Sequence, residues 1–396
     1  MPDATRRNVA VLGSTGSIGT ATLDVLQKLG NPFRIWAISA HRQRDLIRQQ
    51  IAQFQPAWAA LSDLTIPGLD AFSEISGNAA SSKTRLLHGP ESLVELASHP
   101  DVDIVVAGIV GSAGLASSLA AARAGKTLAL ANKESLVVAG SLMLEAVQSN
   151  GARLLPIDSE HSAVFQALAA GKCMEQVRRI ILTASGGSLR DMPLACLSRA
   201  TVDQALSHPT WSMGRKITVD SATMMNKSLE IIEARWLFNI APEKISVVIH
   251  PQSVIHSMVE FVDGSVIAQL CPPDMRLPIQ YALTYPDRLD GPARRVDWTV
   301  PTNLDWKPAD LERYPALLLG YEVASAGGTT GAVLNGANEA AVELFLEGQI
   351  RFTDIEKVCR TVIQNHTYDP SPNLNDLLSL DRWSRLEVQR WKQMEC

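Results

Sequence analysis

The hydrophobic pattern of the first 150 residues alternates between short apolar runs and amphipathic stretches. The runs at 9–12, 33–39, 103–110 and 127–131 have the composition of buried strands, and helical periodicity appears between them. Alternation of this kind predicts a parallel, doubly wound sheet whose faces are covered by helices. We therefore expect one α/β domain over residues 1–157.

The pattern changes after residue 157. Apolar runs at 177–183 and 244–250 predict two more strands, and residues 253–270 predict a hairpin. These elements indicate a central α/β domain over 158–286. Recurring prolines then interrupt the periodicity, which predicts a linker over 287–314. Helical periodicity returns in the remainder, and it predicts a C-terminal helical bundle over 315–396, with helices at 316–325, 337–347, 354–364 and 381–394.

A glycine-rich turn, Gly13-Ser14-Thr15-Gly16-Ser17-Ile18-Gly19, joins the first predicted strand to the first helix. In this context glycines let the backbone approach a pyrophosphate, whose charge is stabilised at the helix N-terminus. The spacing differs from Gly-x-Gly-x-x-Gly, so a turn that only packs the helix on the sheet is the alternative. The flanking strand and helix favour a Rossmann-like domain that binds a dinucleotide.

The turn after the second predicted strand, His41-Arg42-Gln43, indicates which dinucleotide is bound. A protein that uses NAD places Asp or Glu near this point to bind the ribose 2′-hydroxyl, and this turn contains neither. Arg42 can instead pair with a 2′-phosphate. A solvated arginine at a helix start is the alternative, but the missing acid favours NADP(H).

A second polar stretch, Asn132-Lys133-Glu134-Ser135, follows the apolar run at 127–131. Ligands of parallel sheets bind beyond the carboxyl ends of the strands. A helix start would explain Asn132 as a cap and Glu134 as a partner of the helix dipole. It does not explain Lys133, because a cation at a helix N-terminus is electrostatically unfavourable. We therefore predict that Lys133 belongs to a ligand site.

Two carboxylates, Asp158 and Glu160, end the apolar run at 152–157. In an extended segment both side chains point to the same face, and paired hard oxygen ligands suit Mg²⁺ or Mn²⁺. An exposed acidic turn before a helix at 162–170, capped by Ser159 or Asp158, explains the same residues. The segment alone does not decide between a metal site and an acidic turn.

Two later stretches combine polar residues with large apolar ones. Residues 207–214 lack periodicity, and they form either a lid or a surface loop whose tryptophan packs into the core. A helix is predicted from 216 to 238, on which Asn226, Lys227 and Glu230 are neighbours. Because apolar residues cover most of the remaining helix surface, an ordinary solvated face is disfavoured.

The composition excludes several classes of protein. The 396 residues carry a net charge of −5, which argues against general binding to nucleic acid or membrane surfaces. Five scattered cysteines without a Cys-x-x-Cys pair indicate a reducing compartment rather than a disulfide framework or a zinc site. Residues 1–7 lack the apolar core of a signal peptide, and no apolar stretch is long enough to span a bilayer. We therefore expect a cytoplasmic location.

Six motifs in one order resemble those of the 1-deoxy-D-xylulose 5-phosphate reductoisomerase family, and they extend over almost the whole chain. Besides the glycine-rich turn and residues 131–135, they are Pro156-Ile157-Asp158-Ser159-Glu160-His161, Ser185-Gly186-Gly187, His208-Pro209-x-Trp211-x-Met213-Gly214 and residues 220–227. The resemblance implies an enzyme that rearranges this sugar phosphate and reduces it with NADPH to 2-C-methyl-D-erythritol 4-phosphate. It also implies dependence on Mg²⁺ or Mn²⁺, a place in the non-mevalonate isoprenoid pathway, and a homodimer.

The resemblance implies roles for individual residues. Asp158, Glu160 and Glu230 would bind the metal and, with Lys133 and His208, would be the catalytic residues. The implied substrate-binding residues are Lys133, Ser159, Glu160, Ser185, His208, Trp211, Met213, Ser221, Asn226, Lys227 and Glu230, of which Ser185, Ser221, Asn226 and Lys227 would hold the phosphate. The implied NADPH-binding residues are Gly13, Thr15, Gly16, Ser17, Ile18, His41, Arg42, Gln43, Asn132, Glu134 and Gly214. His41 replaces a glycine of some members, but Arg42 is retained.

Two other functions fit parts of the sequence. A different NADP-linked dehydrogenase would explain the N-terminal half but not the carboxylates at 158, 160 and 230. A dinucleotide-sensing protein with a helical interaction domain over 315–396 would bind the cofactor without turning over a sugar phosphate. Metal-independent activity would favour the former, and cofactor binding without turnover would favour the latter.

Overall fold

A computed structural model describes residues 6–65 and 84–395, and its internal contacts divide the chain into two compact units. The described residues of Met1–Asn132, Met143–Ser159 and Asp274–Arg294 form the first, and those of Lys133–Leu142, Glu160–Pro273 and Arg295–Cys396 form the second. The predicted domain boundaries at 157, 286 and 314 stay predictions. In the described part of the chain, no helix has both the length and the apolar composition needed to cross a membrane.

Within the described residues, the first unit contains a seven-stranded parallel sheet. Its strands are β1 (Arg7–Leu12), β2 (Phe33–Ala40), β3 (Trp58–Leu61), β4 (Arg85–His88), β5 (Ile104–Ala107), β6 (Thr127–Leu130) and β7 (Arg153–Pro156). They pair in the order β4-β3-β2-β1-β5-β6-β7, which confirms the predicted Rossmann-like sheet. The order reverses between β1 and β5, so the ends of these two strands form the switch point where such sheets bind ligands.

The helices of the described chain follow the predicted order. They are α1 (Ser17–Leu29), α2 (Arg44–Phe54), α3 (Glu91–Ser98), α4 (Leu115–Arg123), α5 (Lys133–Ser149), α6 (Ser159–Leu168), α7 (Val202–Leu206), α8 (Arg215–Thr223), α9 (Met225–Leu237), α10 (Arg276–Thr284), α11 (Ala316–Ala326), α12 (Thr330–Leu346), α13 (Asp354–Asn365) and α14 (Leu374–Glu395). The last four confirm the predicted C-terminal helical region. Apolar side chains along α1 and throughout β1 are buried, as the apolar pattern predicts.

The second unit contains a mixed sheet, five-stranded in the part of the chain described. Its strands are β8 (Val177–Ala184), β9 (Ile245–Ile249), β10 (Ile255–Phe261), β11 (Val266–Leu270) and β12 (Lys307–Pro308), in the order β11-β10-β8-β9-β12. β8 and β9 are parallel, whereas β10 and β11 form the predicted antiparallel hairpin. Helices α9, α11 and α12 contribute to one core with β8.

Two local predictions are wrong. The segment after β7 does not stay extended, because α6 already begins at Ser159 and takes Glu160 into its first turn. The single helix predicted from 216 to 238 is two helices, α8 and α9, separated at Met224. Met224 has a left-handed φ of +63°, and it ends α8 as the residue after a helix often does.

Candidate active site

The glycine-rich turn lies at the switch point between β1 and β5. Gly13 has a φ of +82°, and an added Cβ would lie 2.9 Å from the carbonyl oxygen of Gly108, which directly follows β5. A Cβ on Gly19 would lie 2.2 Å from the Gly13 carbonyl oxygen. The first turn of α1 therefore packs so closely on the glycine-rich turn that only glycine fits at position 19. The first turn of α1 contains no acidic residue. Its positive end is therefore suited to an anionic group such as a pyrophosphate.

The His41-Arg42-Gln43 turn follows β2 and is exposed. The guanidinium of Arg42 donates through Nε to Oδ2 of Asp63 at 2.6 Å, while 70% of the side chain stays exposed. Hydrogen bonds from the backbone and hydroxyl of Thr65, and then the one from Arg42, lower the pKa of Asp63 to about 2. The carboxylate is therefore charged at neutral pH and holds one edge of the guanidinium, which leaves the Nη edge for an anionic ligand.

The residues around the second polar stretch lie in both units. In the first unit, Nδ2 of the buried Asn132 donates to the carbonyl oxygens of Ile109 and Gly111 at 2.7 and 2.9 Å, and so holds the loop after β5. In the second unit, Glu134 is buried, with its Oε1 3.8 Å from Nζ of Lys216. Gly214, also in the second unit, is the exposed residue directly before α8.

Three carboxylates gather at the start of α6 and on α9. Asp158, Glu160 and Glu230 each offer one oxygen atom, and these atoms lie within 4.8 Å of one another. Glu230 is completely buried on α9, whereas Asp158 and Glu160 are partly exposed. Asp158 and Glu160 are therefore close together, as the sequence predicts. They are brought together by the start of α6, however, and not by an extended strand. Three hard oxygen donors at this spacing could hold a divalent cation.

Two lysines and an amide contact these carboxylates. Nζ of Lys227 donates to Oε1 of Glu160 at 2.8 Å and also to Oε2 of Glu230. Nζ of Lys133 donates to Oε1 of Glu230 at 3.1 Å and to Oδ1 of Asn226 at 3.0 Å. Burial opposes the charged form of Lys227, but the two carboxylates raise the pKa of this lysine above its usual value. Both lysines therefore neutralise carboxylates in a buried place, where an unpaired charge would be costly.

A buried pair, His161 and Glu233, lies beside the carboxylate cluster, and the sequence analysis gives neither residue a role although His161 ends one of the six motifs. Nδ1 of His161 lies 3.2 Å from Oε2 of Glu233, and Nε2 lies 2.9 Å from the backbone oxygen of Glu230. These two residues and Asp158 could also group around a cation. The hydrogen bond at Nε2 and the position of Nδ1 beside Glu233 both tie His161 to α9, however, which favours a supporting role. The available signal was spacing, since Glu233 follows Glu230 by one helical turn.

The turn after β8 forms a second polar cluster. Oγ of Ser185 and Nε2 of His208 share a hydrogen bond of 2.9 Å, and the backbone N–H of Gly187 donates to the same Oγ. Gly187 has a φ of +72°, and an added Cβ would lie 2.5 Å from the carbonyl oxygen of Ser221. The structure thus brings Ser185, His208 and Ser221 together. Burial and the positive charge of Arg190 lower the pKa of His208, which is therefore largely neutral at pH 7.

The loop at 207–214 is irregular, as predicted. Nδ1 of His208 accepts hydrogen bonds from the backbone N–H groups of Thr210 and Trp211, at 3.2 and 3.0 Å. Trp211 and Met213 are only partly buried, and the Trp211 ring lies 6.3 Å from that of His256. The tryptophan is therefore not enclosed in the core, which leaves the lid interpretation standing. Ser159, the remaining predicted substrate-binding residue, is buried at the start of α6.

Protein-family models match most of the chain. A model described as 1-deoxy-D-xylulose 5-phosphate reductoisomerase matches residues 9–140. A model of the C-terminal domain of the same enzyme matches residues 154–238, and a third, described as DXP reductoisomerase C-terminal domain, matches residues 270–387. The three matches include the regions that carry the carboxylate cluster and the glycine-rich turn.

Curated proteins and solved structures are similar over nearly the full length. The 1-deoxy-D-xylulose 5-phosphate reductoisomerases of Rhodopirellula baltica and Halalkalibacterium halodurans are 48% and 49% identical, over 98% and 96% of this chain and 95% and 98% of theirs. A crystal structure of DOX-P reductoisomerase with NADPH, fosmidomycin and magnesium has a TM-score of 0.91 and 40% identity, over 98% of both chains. The enzyme from Zymomonas mobilis with NADPH has a TM-score of 0.90 and 42% identity, over 98% of this chain and 99% of its own.

Proposed function

The chain belongs to the 1-deoxy-D-xylulose 5-phosphate reductoisomerase family, and we propose that its carboxylate cluster holds the metal on which the reaction depends. The enzyme carries out the metal-dependent, NADPH-linked conversion of 1-deoxy-D-xylulose 5-phosphate to 2-C-methyl-D-erythritol 4-phosphate in isoprenoid biosynthesis. The observation that carries the metal assignment is the convergence of one oxygen each from Asp158, Glu160 and Glu230.

The donor set fits Mg²⁺ or Mn²⁺, since all three ligands are hard oxygens. A metal bound there supplies Lewis-acid polarisation of the substrate's ketone and hydroxyl oxygens and orients them. The carboxylates of Glu160 and Glu230 are held in place by Lys227 and Lys133. Lys133 stabilises negative charge that develops on substrate oxygen during the rearrangement.

The phosphate of the substrate binds between the turn after β8 and α9. Ser185 and Ser221 offer hydroxyl groups, Asn226 offers its amide, and Lys227 offers positive charge. The phosphate is remote from the reacting carbons, so the free energy of binding the phosphate can be used to position those carbons at the metal and the cofactor. The loop that carries Trp211 and Met213 closes over the substrate and excludes water from the reactive intermediate.

We infer that NADPH binds to the glycine-rich turn, the Arg42 turn and the loop that Asn132 holds, all in the first unit. The cofactor contacts that the family resemblance implies for Glu134 and Gly214 stay predictions. Gly13 and Gly19 let the backbone of the turn pack closely on Gly108 and on the start of α1, which places the helix N-terminus where a pyrophosphate would bind. NADPH supplies the hydride that reduces the aldehyde formed by rearrangement. The Nη edge of Arg42, fixed from the other side by Asp63, pairs with the 2′-phosphate.

Replacing Arg42 by glutamate is expected to raise the KM for NADPH by about 10- to 100-fold while the KM for NADH changes little. The variant loses the bidentate donor and also places a negative charge beside the 2′-phosphate. Steady-state kinetics with both cofactors measure the ratio, and Arg34→Glu, on the exposed part of β2, serves as the control. An unchanged KM ratio in Arg42→Glu would remove Arg42 from the cofactor site.

Two properties of the whole protein are also part of the proposal. A homodimer is inferred from the family resemblance, and light scattering in solution should give twice the chain mass of 42.9 kDa. A cytoplasmic location is inferred from the cysteine usage, because the five cysteines of the sequence are scattered and form no Cys-x-x-Cys pair. Fractionation of cells that express the protein tests the location.

A further inference from the structure

The residues that end the predicted linker contact the turn after β8. The hydroxyl of Tyr314 donates to the carbonyl oxygen of Gly186 at 3.0 Å, and this bond is buried. The preceding Arg313 donates to the carbonyl oxygens of Leu189 and Met192, at 3.2 and 2.6 Å. Arg313 and Tyr314, which have no predicted role in catalysis or binding, therefore donate hydrogen bonds to three backbone carbonyl groups of residues 186–192.

The same part of the chain also packs on α9. The backbone oxygen of Ala316, two residues after Tyr314, accepts a hydrogen bond from Ser228 Oγ at 2.6 Å. A Cβ added to Gly320 would lie 2.7 Å from the Cα of Ser228, so α11 and α9 are in backbone contact. Ser228 directly follows Lys227. The segment from 313 to 320 thus contacts both the Ser185 turn and the helix that carries Asn226 and Lys227.

The turn that Tyr314 contacts has a backbone conformation that residues other than glycine rarely adopt. Gly186 and Gly187 have φ values of +85° and +72°, and the second packs against Ser221 with no room for a side chain. Local bonds hold the neighbouring groups, since Arg190 donates to the Ser185 carbonyl oxygen at 2.9 Å and the Gly187 N–H donates to Ser185 Oγ. The Gly186 carbonyl oxygen instead receives its bond from Tyr314, 128 residues further along the chain. The Gly186 carbonyl would lose a buried partner without the tyrosine hydroxyl, and the turn would shift to satisfy it.

We propose that Tyr314 is a positioning residue for substrate affinity: its hydroxyl fixes the Ser185–Gly187 turn at the spacing from α9 that phosphate binding requires. The inference rests on the proposed function, in which Ser185, Asn226 and Lys227 hold the phosphate. It gives the junction between the linker and the helical region a part in substrate recognition. A small displacement of one wall of a preorganised site weakens binding without removing any contacting group.

The test compares Tyr314→Phe with Tyr321→Phe. Tyr321, seven residues after Tyr314, is the matched control. Its hydroxyl likewise donates a hydrogen bond of 3.0 Å to a backbone oxygen, that of Ile245. Burial raises the pKa of both tyrosines, so both phenols are neutral donors. Tyr314→Phe is expected to raise the KM for 1-deoxy-D-xylulose 5-phosphate roughly 5- to 10-fold, with kcat and the KM for NADPH nearly unchanged. Both variants lose one buried hydrogen bond, so Tyr321→Phe should lower the melting temperature about as much as Tyr314→Phe does. Tyr321→Phe should leave all KM values unchanged.

Ser185→Ala separates the inference from the function on which it rests. If Ser185→Ala raises the substrate KM and Tyr314→Phe does not, the positioning role is wrong and the phosphate site stands. An equal rise in both tyrosine variants would show a general loss of packing and would also overturn the role. If Ser185→Ala leaves the substrate KM unchanged, the phosphate assignment fails and the inference fails with it. Should Tyr314→Phe not fold, Arg313→Met removes the neighbouring bonds to the turn and is expected to raise the same KM.

Discussion

Turnover of 1-deoxy-D-xylulose 5-phosphate is expected to fall about 10³-fold when Glu230 is replaced by glutamine, while NADPH binding stays intact. Glu230 is completely buried and offers one of the three grouped oxygens. Its two oxygens also accept hydrogen bonds from Lys133 and Lys227. A neutral amide leaves both ammonium groups undercompensated, so the variant loses a ligand and repels a divalent cation at the same time.

The two halves of this prediction are measured separately. Titration calorimetry with Mg²⁺ or Mn²⁺ reports metal affinity, and quenching of protein fluorescence reports NADPH affinity. Glu243→Gln, an exposed glutamate beyond the end of α9, controls for the loss of one negative charge. Equal loss of metal and NADPH binding in Glu230→Gln would refute its assignment as a metal ligand, because it would indicate general unfolding or a cofactor role.

Replacing Lys227 by methionine is expected to have two effects of opposite sign. Turnover should fall about 10²-fold, because the buried ammonium that pairs with the phosphate is lost. Metal binding should become tighter, because Lys227 donates to oxygens of Glu160 and Glu230 and so competes with a cation for these carboxylates. When no metal is bound, the partly exposed Glu160 and the buried Glu230 would both lose their contact with Lys227, although Glu230 would keep Lys133. We expect a cost of about 3 kcal/mol of unfolding free energy.

Thermal melting with and without Mg²⁺ tests both effects. The metal-free variant should melt well below the wild type, and saturating Mg²⁺ should raise its melting temperature by more than it raises that of the wild type. Lys244→Met, an exposed lysine before β9, controls for the change in charge and should melt like the wild type in both conditions. Weaker Mg²⁺ binding in Lys227→Met would contradict the competition between the lysine and the metal.

The parts of the fold that the sequence predicts are those that local chemistry determines. The strand β1, the glycine-rich turn and α1 occur together because apolar runs, glycine and helical periodicity are each local properties. The same holds for the neighbours Asn226, Lys227 and Glu230, since helical spacing brings them together. In these segments tertiary packing and local preference agree.

Long-range pairing is what the sequence does not predict. Asp63 binds Arg42 from 21 residues away, and Lys227 binds Glu160 from 67 residues away. No periodicity links such positions, because their contact depends on how separate elements pack. The sequence does not predict the break between α8 and α9 for a different reason: Met224 has no local preference for the left-handed conformation that it adopts. The sequence also places Glu160 in an extended segment, because a strand end and a helix start share the same few polar residues.

NADPH oxidation in the presence of 1-deoxy-D-xylulose 5-phosphate, with and without added Mg²⁺ or Mn²⁺, tests the central claim most directly. The protein is first treated with a chelator, and absorbance of NADPH is then followed after the metal is returned. Oxidation that requires both the sugar phosphate and the metal, and that Glu230→Gln abolishes, is the predicted result. Oxidation at the same rate without metal, or none in either condition from protein that binds NADPH, would contradict a metal-dependent reaction at Asp158, Glu160 and Glu230.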